Sequence, residues 1–499
     1  MVVLAVTISF CLFSVEECLS SSIVADPTTA VSQTDISPTE TTDTETQSLG
    51  LSNRLIENDF NIWINPSQIT EYGTVYGEIW NAAGNEWGGA TVWLPVGKLG
   101  IFVGRPYTGN IAMTGTTPLT TYPGTSITAL PAGLAGPLAI DPFGDPLIYD
   151  LTPLAIGGNQ IDILYGMQPI DMLSVGLRIS LADNYNETTY NYSDTPGPAT
   201  GDGSISNIRQ SSDMQISVGA LLKDIGPLDK IDVAFTMANP KVKNEFSESA
   251  YNAVPNLGTA LDTFESENAA NMNVLVRGIM GIMESRLIAS LSMDTIDVSA
   301  NRTIVLDNDT TVAGVAQNDV VTYKDTASRM NIDAALHTKP SSDLKVIYAL
   351  GIANFSRSIE ITQSDLGLGG GVVAAGPLAI SKGALSSSGF PVTVALEHQT
   401  WKRVATRFSA SKAMFSNASI EITEADYRDA DADGVNDTID ETGVSKSVVR
   451  PRTQIATVGL GLGIAPAENV SLDIALQSTI FDLTTAGNLI TRASVKYHF

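Results

Sequence analysis

Residues 429–440, DADADGVNDTID, place carboxylates at alternating positions around a glycine. Hard cations such as Ca2+ take about six to eight oxygen ligands, and a short loop supplies them when alternate side chains converge and Gly permits the sharp turn. Counting from the first residue, Asp429, Asp431 and Asp433 stand at positions one, three and five, and Gly434 at six. Val435 offers its carbonyl at seven, Asp437 stands at nine and Asp440 at twelve. The stretch is expected to hold a structural Ca2+. Other chemistry is sparsely supplied. The histidines are His337, His398 and His498, and neither a His-Glu zinc motif nor a phosphate-binding glycine loop is present. A hydrolase needs a base beside a Ser or a pair of acids. Nothing in the sequence assembles either, so the chain is expected not to be an enzyme.

The acidic string fits D-x-D-x-D-G-x-x-D-x-x-D and resembles a single thrombospondin type 3 calcium repeat without that family's cysteines. It departs from the EF-hand loop in having Asp rather than Glu at twelve, and no amphipathic helices flank it.

The chain that must position this loop has 499 residues, 43% hydrophobic, with a formal net charge of −26. No basic tract offers phosphate neutralisation, which argues against nucleic-acid binding. Residues 1–25 read as a secretory signal peptide carrying both cysteines, Cys11 and Cys18, so disulfides and thiolate metal sites are not expected beyond it. Residues 26–56 are rich in Thr, Ser, Asp and Glu and are expected to form a disordered tail. Beyond the leader there is no apolar run long enough for a membrane-spanning helix.

From about Thr74 the pattern has period two. In RASVKYHF, Ala493, Val495, Tyr497 and Phe499 face one way, and Arg492, Ser494, Lys496 and His498 the other. In MLSVGLRISL, Leu173, Val175, Leu177 and Ile179 oppose Ser174, Gly176, Arg178 and Ser180. An apolar row backed by a polar one suits a strand with lipid on one side and water on the other. The connections alternate between short, as at 95–98, 168–171, 223–229 and 465–470, and long, near 106–159, 183–211, 239–269, 295–327, 356–390 and 416–448. These features predict an all-β, transmembrane, antiparallel up-and-down barrel over residues 57–499. It has about sixteen strands, short periplasmic turns and long external loops, with 57–73 as a periplasmic lead-in. The terminal Phe499 resembles the last residue of Gram-negative outer-membrane barrel proteins. That resemblance implies an outer-membrane location among lipid and lipopolysaccharide, contact with the barrel assembly machinery, and, for sixteen-stranded porins, a homotrimer.

Charges in hydrocarbon are costly, so the alternation sends them into the lumen. Arg178, Arg277, Arg286, Arg403, Arg407, Arg452, Arg492 and Lys496 are assigned inward with Asp162, Asp232, Asp333 and Asp473. A wall of both signs suits a porin-like channel for passive diffusion of small hydrophilic solutes. Two apolar stretches assigned to external loops, 125–156 and 364–380, share the hexapeptide AGPLAI and are expected to fold inward and narrow the mouth. The stretch ENDFNIWINPSQI at 57–69 carries Asn65-Pro66-Ser67, similar to the Asn-Pro-Ala element of FadL-type transporters of hydrophobic compounds. Such a carrier is the alternative reading, and a structural or adhesive barrel with a calcium-stabilised surface loop is a third.

Overall fold

The computed structural model describes residues 43–80, 86–105, 160–193, 202–249, 260–306, 317–365, 376–428, 438–449, 457–479 and 492–498. Eighteen strand segments lie among them. These are β1 (Thr74–Trp80), β2 (Trp87–Trp93), β3 (Lys98–Val103), β4 (Ile161–Ile170), β5 (Leu173–Ser193), β6 (Asp202–Ile225), β7 (Leu228–Ala238), β8 (Lys241–Ser249) and β9 (Ala260–Ile282). They continue as β10 (Ser285–Leu306), β11 (Gln317–Ser341), β12 (Leu344–Asp365), β13 (Gly376–Trp401), β14 (Val404–Arg428), β15 (Thr438–Val449), β16 (Thr457–Ala467), β17 (Val470–Thr479) and β18 (Arg492–His498).

Neighbours in sequence pair antiparallel, and β1 closes on β18 from Thr74 opposite His498 to Trp80 opposite Arg492. β7 and β8 both pair with β6 on one side and β9 on the other, so they are two halves of one strand. The break falls at Asn239-Pro240, where proline has no N–H to give a ladder. β15 and β16 both pair with β14 and are likewise one strand. The result is a closed antiparallel barrel of sixteen strands. No helix among the described residues is long and apolar enough to cross a membrane.

The alternation read from the sequence decides the two faces. On β18, Ser494 and Lys496 are buried while Val495 and Tyr497 are exposed on the outer wall. On β5, Ser174, Arg178 and Ser180 are buried and Leu177 and Leu181 are exposed. The outward apolar row is continuous up to Leu181, Met214, Met272, Met293, Met330 and Ile352 on the long strands, and above it exposed large apolar side chains among the described residues are scattered, as at Tyr185 and Leu261. Its span matches the roughly 9–11 residues that a tilted strand needs to cross hydrocarbon.

The strands do not stop there. β14 continues for 25 residues, roughly 60 Å of height at about 3.3 Å per residue and a tilt near 40°, against an apolar band of about 25 Å. Much of what the sequence assigns to external loops at 183–211, 239–269, 295–327, 356–390 and 416–448 is therefore strand. The physical reason is that above the hydrocarbon the outer face meets water, so alternation fades although the ladder continues. The region 106–159, with the first AGPLAI, lies outside the described residues. The second copy runs into the start of β13.

Candidate functional site

The lumen at the short-turn end is filled by residues 43–73 of the chain itself. The composition of 26–56 predicts a disordered tail, but its described part, 43–56, is ordered and mostly buried. The lead-in expected at 57–73 lies within the barrel. Composition misleads here because the segment finds its apolar partners on the barrel wall rather than within itself.

Local chemistry explains its shape. Asp43 caps helix α1 (Thr44–Ser48), its carboxylate accepting from the Thr46 N–H at 2.7 Å. Asn58 caps a short 3-10 turn, Asp59–Trp63, and the Asn61 side chain returns a bond to the Asn58 N–H at 3.2 Å. Asn65 caps the next turn, Pro66–Thr70, accepting from the Ser67 N–H at 3.1 Å with Pro66 at the first position. Side-chain caps recurring every few residues keep the segment in short turns. Between them stand the apolar residues that anchor it.

Those anchors pack in three sectors. Leu49, Leu51, Leu55 and Ile56 meet Ala335, Ile347, Ala349 and Ala395 on β11, β12 and β13. Ile64 meets Ala234 and Leu275. Phe60, Trp63 and Ile69 meet Tyr76, Trp87, Phe102 and Leu164 on β1 to β4. In this last cluster Trp63 lies edge-on to Phe102 at 4.9 Å and Phe60 to Tyr76 at 4.8 Å, a geometry worth about 0.5–1.5 kcal/mol per pair beyond burial.

The wall is carved to receive the segment. Gly166, Gly176 and Gly219 sit directly opposite one another across β4, β5 and β6. A Cβ at Gly176 would lie 2.3 Å from the Pro66 backbone, and one at Gly219 1.9 Å from Asn65 Oδ1. Both approaches are possible only without a side chain. On the far side, Gly461 leaves room for Ser48 in the same way.

Charged residues add a second set of contacts between plug and wall. Asp232 accepts from Asn65 at 2.8 Å and Gln68 at 2.6 Å while paired with Arg277 at 2.6 Å. Arg277 also donates to the carbonyls of Asn53 and Ile56. Arg178 donates to the Trp63 carbonyl at 2.7 Å. Asp162 is held by Arg105, whose guanidinium lies 4.5 Å over the Trp63 ring. Lys496 binds Asp43 at 2.6 Å and Asp59 at 3.0 Å. Arg407 pairs with Asp473 at 2.6 Å and Glu397 at 2.7 Å and reaches Glu45 at 3.8 Å. Arg54 of the plug pairs with Asp333 at 3.5 Å. At the rim, Glu57 holds Lys230 at 2.6 Å and Arg286, and Glu71 holds Lys223 at 2.5 Å.

The plug's own carboxyls titrate differently. Burial alone would raise Asp43, but the Lys496 charge and the bonds from Lys496 and Thr46 hold it below its ordinary value. Burial pushes Glu45 up to about 7, because Arg407 offsets the lost hydration only in part and Asp43 and Asp473 repel the carboxylate.

Of the residues assigned inward from the sequence, Arg178, Arg277, Arg286, Arg407, Lys496, Asp162, Asp232, Asp333 and Asp473 all touch the plug or pair with a wall residue that does. Arg403 donates instead to the Pro466 carbonyl at the rim. The Arg492 backbone lies in β18, opposite Trp80 and Ala475, and Arg452 lies outside the described residues. Asp429, Asp431, Asp433, Val435 and Asp437 also lie outside them, and Asp440 stands in β15. The three histidines stand at the short-turn end, where His337 donates to the Leu55 carbonyl at 2.8 Å. Sequence reasoning missed the plug. Its signals were the recurrent Asp and Asn caps before large apolar residues, and glycine at inward positions of adjacent strands.

No protein-family model matches the chain, and no curated protein matches it. Among solved structures, it is similar to the translocator domain of the autotransporter NalP from Neisseria meningitidis, at 12% identity and TM-score 0.24, over 65% of this chain and 88% of that one. It is also similar to the ferric yersiniabactin uptake receptor FyuA from Yersinia pestis, at 9% and 0.29, over 86% and 80%. A third similarity is to the ferric-catecholate import receptor Fiu from E. coli K12, at 8% and 0.30, over 86% and 82%. At these scores the likenesses carry no functional argument, and the barrel assignment stands on its own strand pairing.

Proposed function

We propose that the chain is a bacterial outer-membrane transport barrel whose conduit for small hydrophilic solutes is stoppered at the periplasmic end by its own residues 43–73. The observation that carries this is the circumference of the seal: the plug meets the wall from β1 around to β18 through contacts that are all non-covalent. A lumen this wide would otherwise leave an aqueous channel. The seal distinguishes the reading from a permanently open porin, and the polar, charged wall behind the plug favours hydrophilic cargo over the hydrophobic compounds of FadL-type carriers.

The strands standing well above the apolar band favour a second, surface-facing role, in which Ca2+ bound at 429–440 stiffens an external loop near lipopolysaccharide phosphates. That role does not depend on conduction.

Planar-bilayer recording of the native full chain and of Gly219→Leu tests the proposal. The native chain is expected to be silent or to open rarely. The variant, whose new side chain occupies the place of Asn65, is expected to give steps that scale with salt. Steady open steps from the native chain would remove the stopper reading. Silence from both folded proteins would leave the structural barrel.

A further inference from the structure

The plug and the wall around it carry opposite charge, and this points to what passes when the plug is displaced. Within residues 43–73 the charged side chains are five acids, Asp43, Glu45, Glu57, Asp59 and Glu71, and one base, Arg54. Every one of the acids is ion-paired to a base on the wall.

The wall bases fall into two groups. Arg105, Arg277 and Arg407 have carboxylate partners on the wall itself, Asp162, Asp232 and Asp473, and keep them whether or not the plug is seated. Six others direct their charge at the plug. Lys98 donates to the Tyr72 carbonyl at 2.6 Å and Arg178 to the Trp63 carbonyl. Lys223, Lys230, Arg286 and Lys496 bind plug carboxylates. Of these six, Arg286 also has a wall acid in reach, Asp229 at 3.8 Å, while Arg178 and Lys496 feel the wall carboxylates Asp162 and Asp473, whose bonded bases are Arg105 and Arg407. Fewer wall acids bond the plug directly: Glu78 through Thr44, Asp232 through Asn65 and Gln68, and Asp333 through Arg54. Lys98, Arg178 and Lys496 are almost fully buried, and a buried charge left without a counter-charge is expensive.

We propose, on the reading that the plug is displaced during transport, that its carboxylates stand in for the charges of an anionic solute. The open conduit then admits carboxylate- or phosphate-bearing solutes in preference to cations. Departure of the plug takes away a net negative segment and leaves a ring of bases on β3, β5, β6, β7, β10 and β18. Low-dielectric walls focus that field, and rings of Arg and Lys are a general means of selecting anions. An entering anion restores the pairing that the plug supplied.

The test is the reversal potential of the full chain in a planar bilayer under a KCl gradient. The plug is loosened by Glu57→Gln, Asp59→Asn and Glu71→Gln, which leave the wall unchanged. The expected result is a chloride-over-potassium preference of about tenfold at low salt, falling as salt screens the ring. Adding Lys223→Glu and Lys230→Glu should reduce or invert it. Should the triple variant fail to fold, the same potential is read on Gly219→Leu. Steps without selectivity, or favouring potassium, would overturn this inference and leave the stoppered conduit standing. Folded, plug-loosened barrels that give no steps would overturn the conduit, and this inference with it.

Discussion

Two of the sectors of the barrel that hold the plug use different physics. Against β1 to β4, Phe60 and Trp63 are locked among Tyr76, Trp87 and Phe102, and Trp63 is 1% exposed. Against β14 to β18, helix α1 rests on glycine-lined wall, and its contacts there include the ion pairs of Asp43 with Lys496 and Glu45 with Arg407. Aromatic burial responds less to pH and salt than ion pairing does. Ion pairs respond to both, most of all where one carboxyl titrates near neutrality. If the plug is displaced as proposed, the difference makes the α1 side the one that pH and salt would loosen and the aromatic side the one that would hold.

The largest expected effect breaks the aromatic sector. Trp63→Ala should cost the docked plug about 3–5 kcal/mol, the usual range for emptying a buried aromatic site. Hydrogen exchange should report it as lost protection over residues 43–73 with the barrel strands still protected. Equal loss in plug and strands would show that the plug is part of the barrel's own stability rather than a separable stopper.

A somewhat smaller effect is expected on the ionic side. Lys496→Met leaves Asp43 and Asp59 without their shared base, a change of about 3 kcal/mol where the acids stay buried. A spin label at Gln47 should become markedly more mobile while one at Ser67 changes little. Equal mobility at both positions would erase the distinction between the sectors.

The smallest effect sharpens the comparison through pH. Glu45 rises from an ordinary 4.5 to about 7 when docked, so between those values the docked plug binds more protons than the released one. Docking is then strengthened in full below about 4.5, weakens as pH rises, and has lost that contribution above about 7. Asp43 acts in the opposite sense: its carboxyl is depressed, so its contribution is lost only as pH falls below 3.8. The Gln47 label should therefore be least mobile just above pH 4, and Glu45→Gln should flatten the rise toward neutrality. A slope that survives this substitution would assign the titration to another group.

Part of this was legible residue by residue. The register of Ser494, Val495, Lys496 and Tyr497 already separates lumen from lipid, because a period-two row needs no knowledge of its neighbours. The short turns were readable for a similar reason: each joins two alternating runs within a few residues. Strand ends were not, since Met293 and Met330 mark where hydrocarbon ends while the ladder continues past both.

The sequence by itself determined the closed antiparallel barrel, its inward charges and its apolar belt, because these follow from local alternation and the cost of charge in lipid. Only the tertiary structure decided that the lumen is stoppered. Gly176 meets Pro66 and Lys496 meets Asp43 because barrel closure brings together positions more than a hundred residues apart. Neither residue of such a pair carries any local mark of the other. The same closure turns a segment with no core of its own into a buried plug, since the apolar partners that offset its ordering entropy lie on the wall.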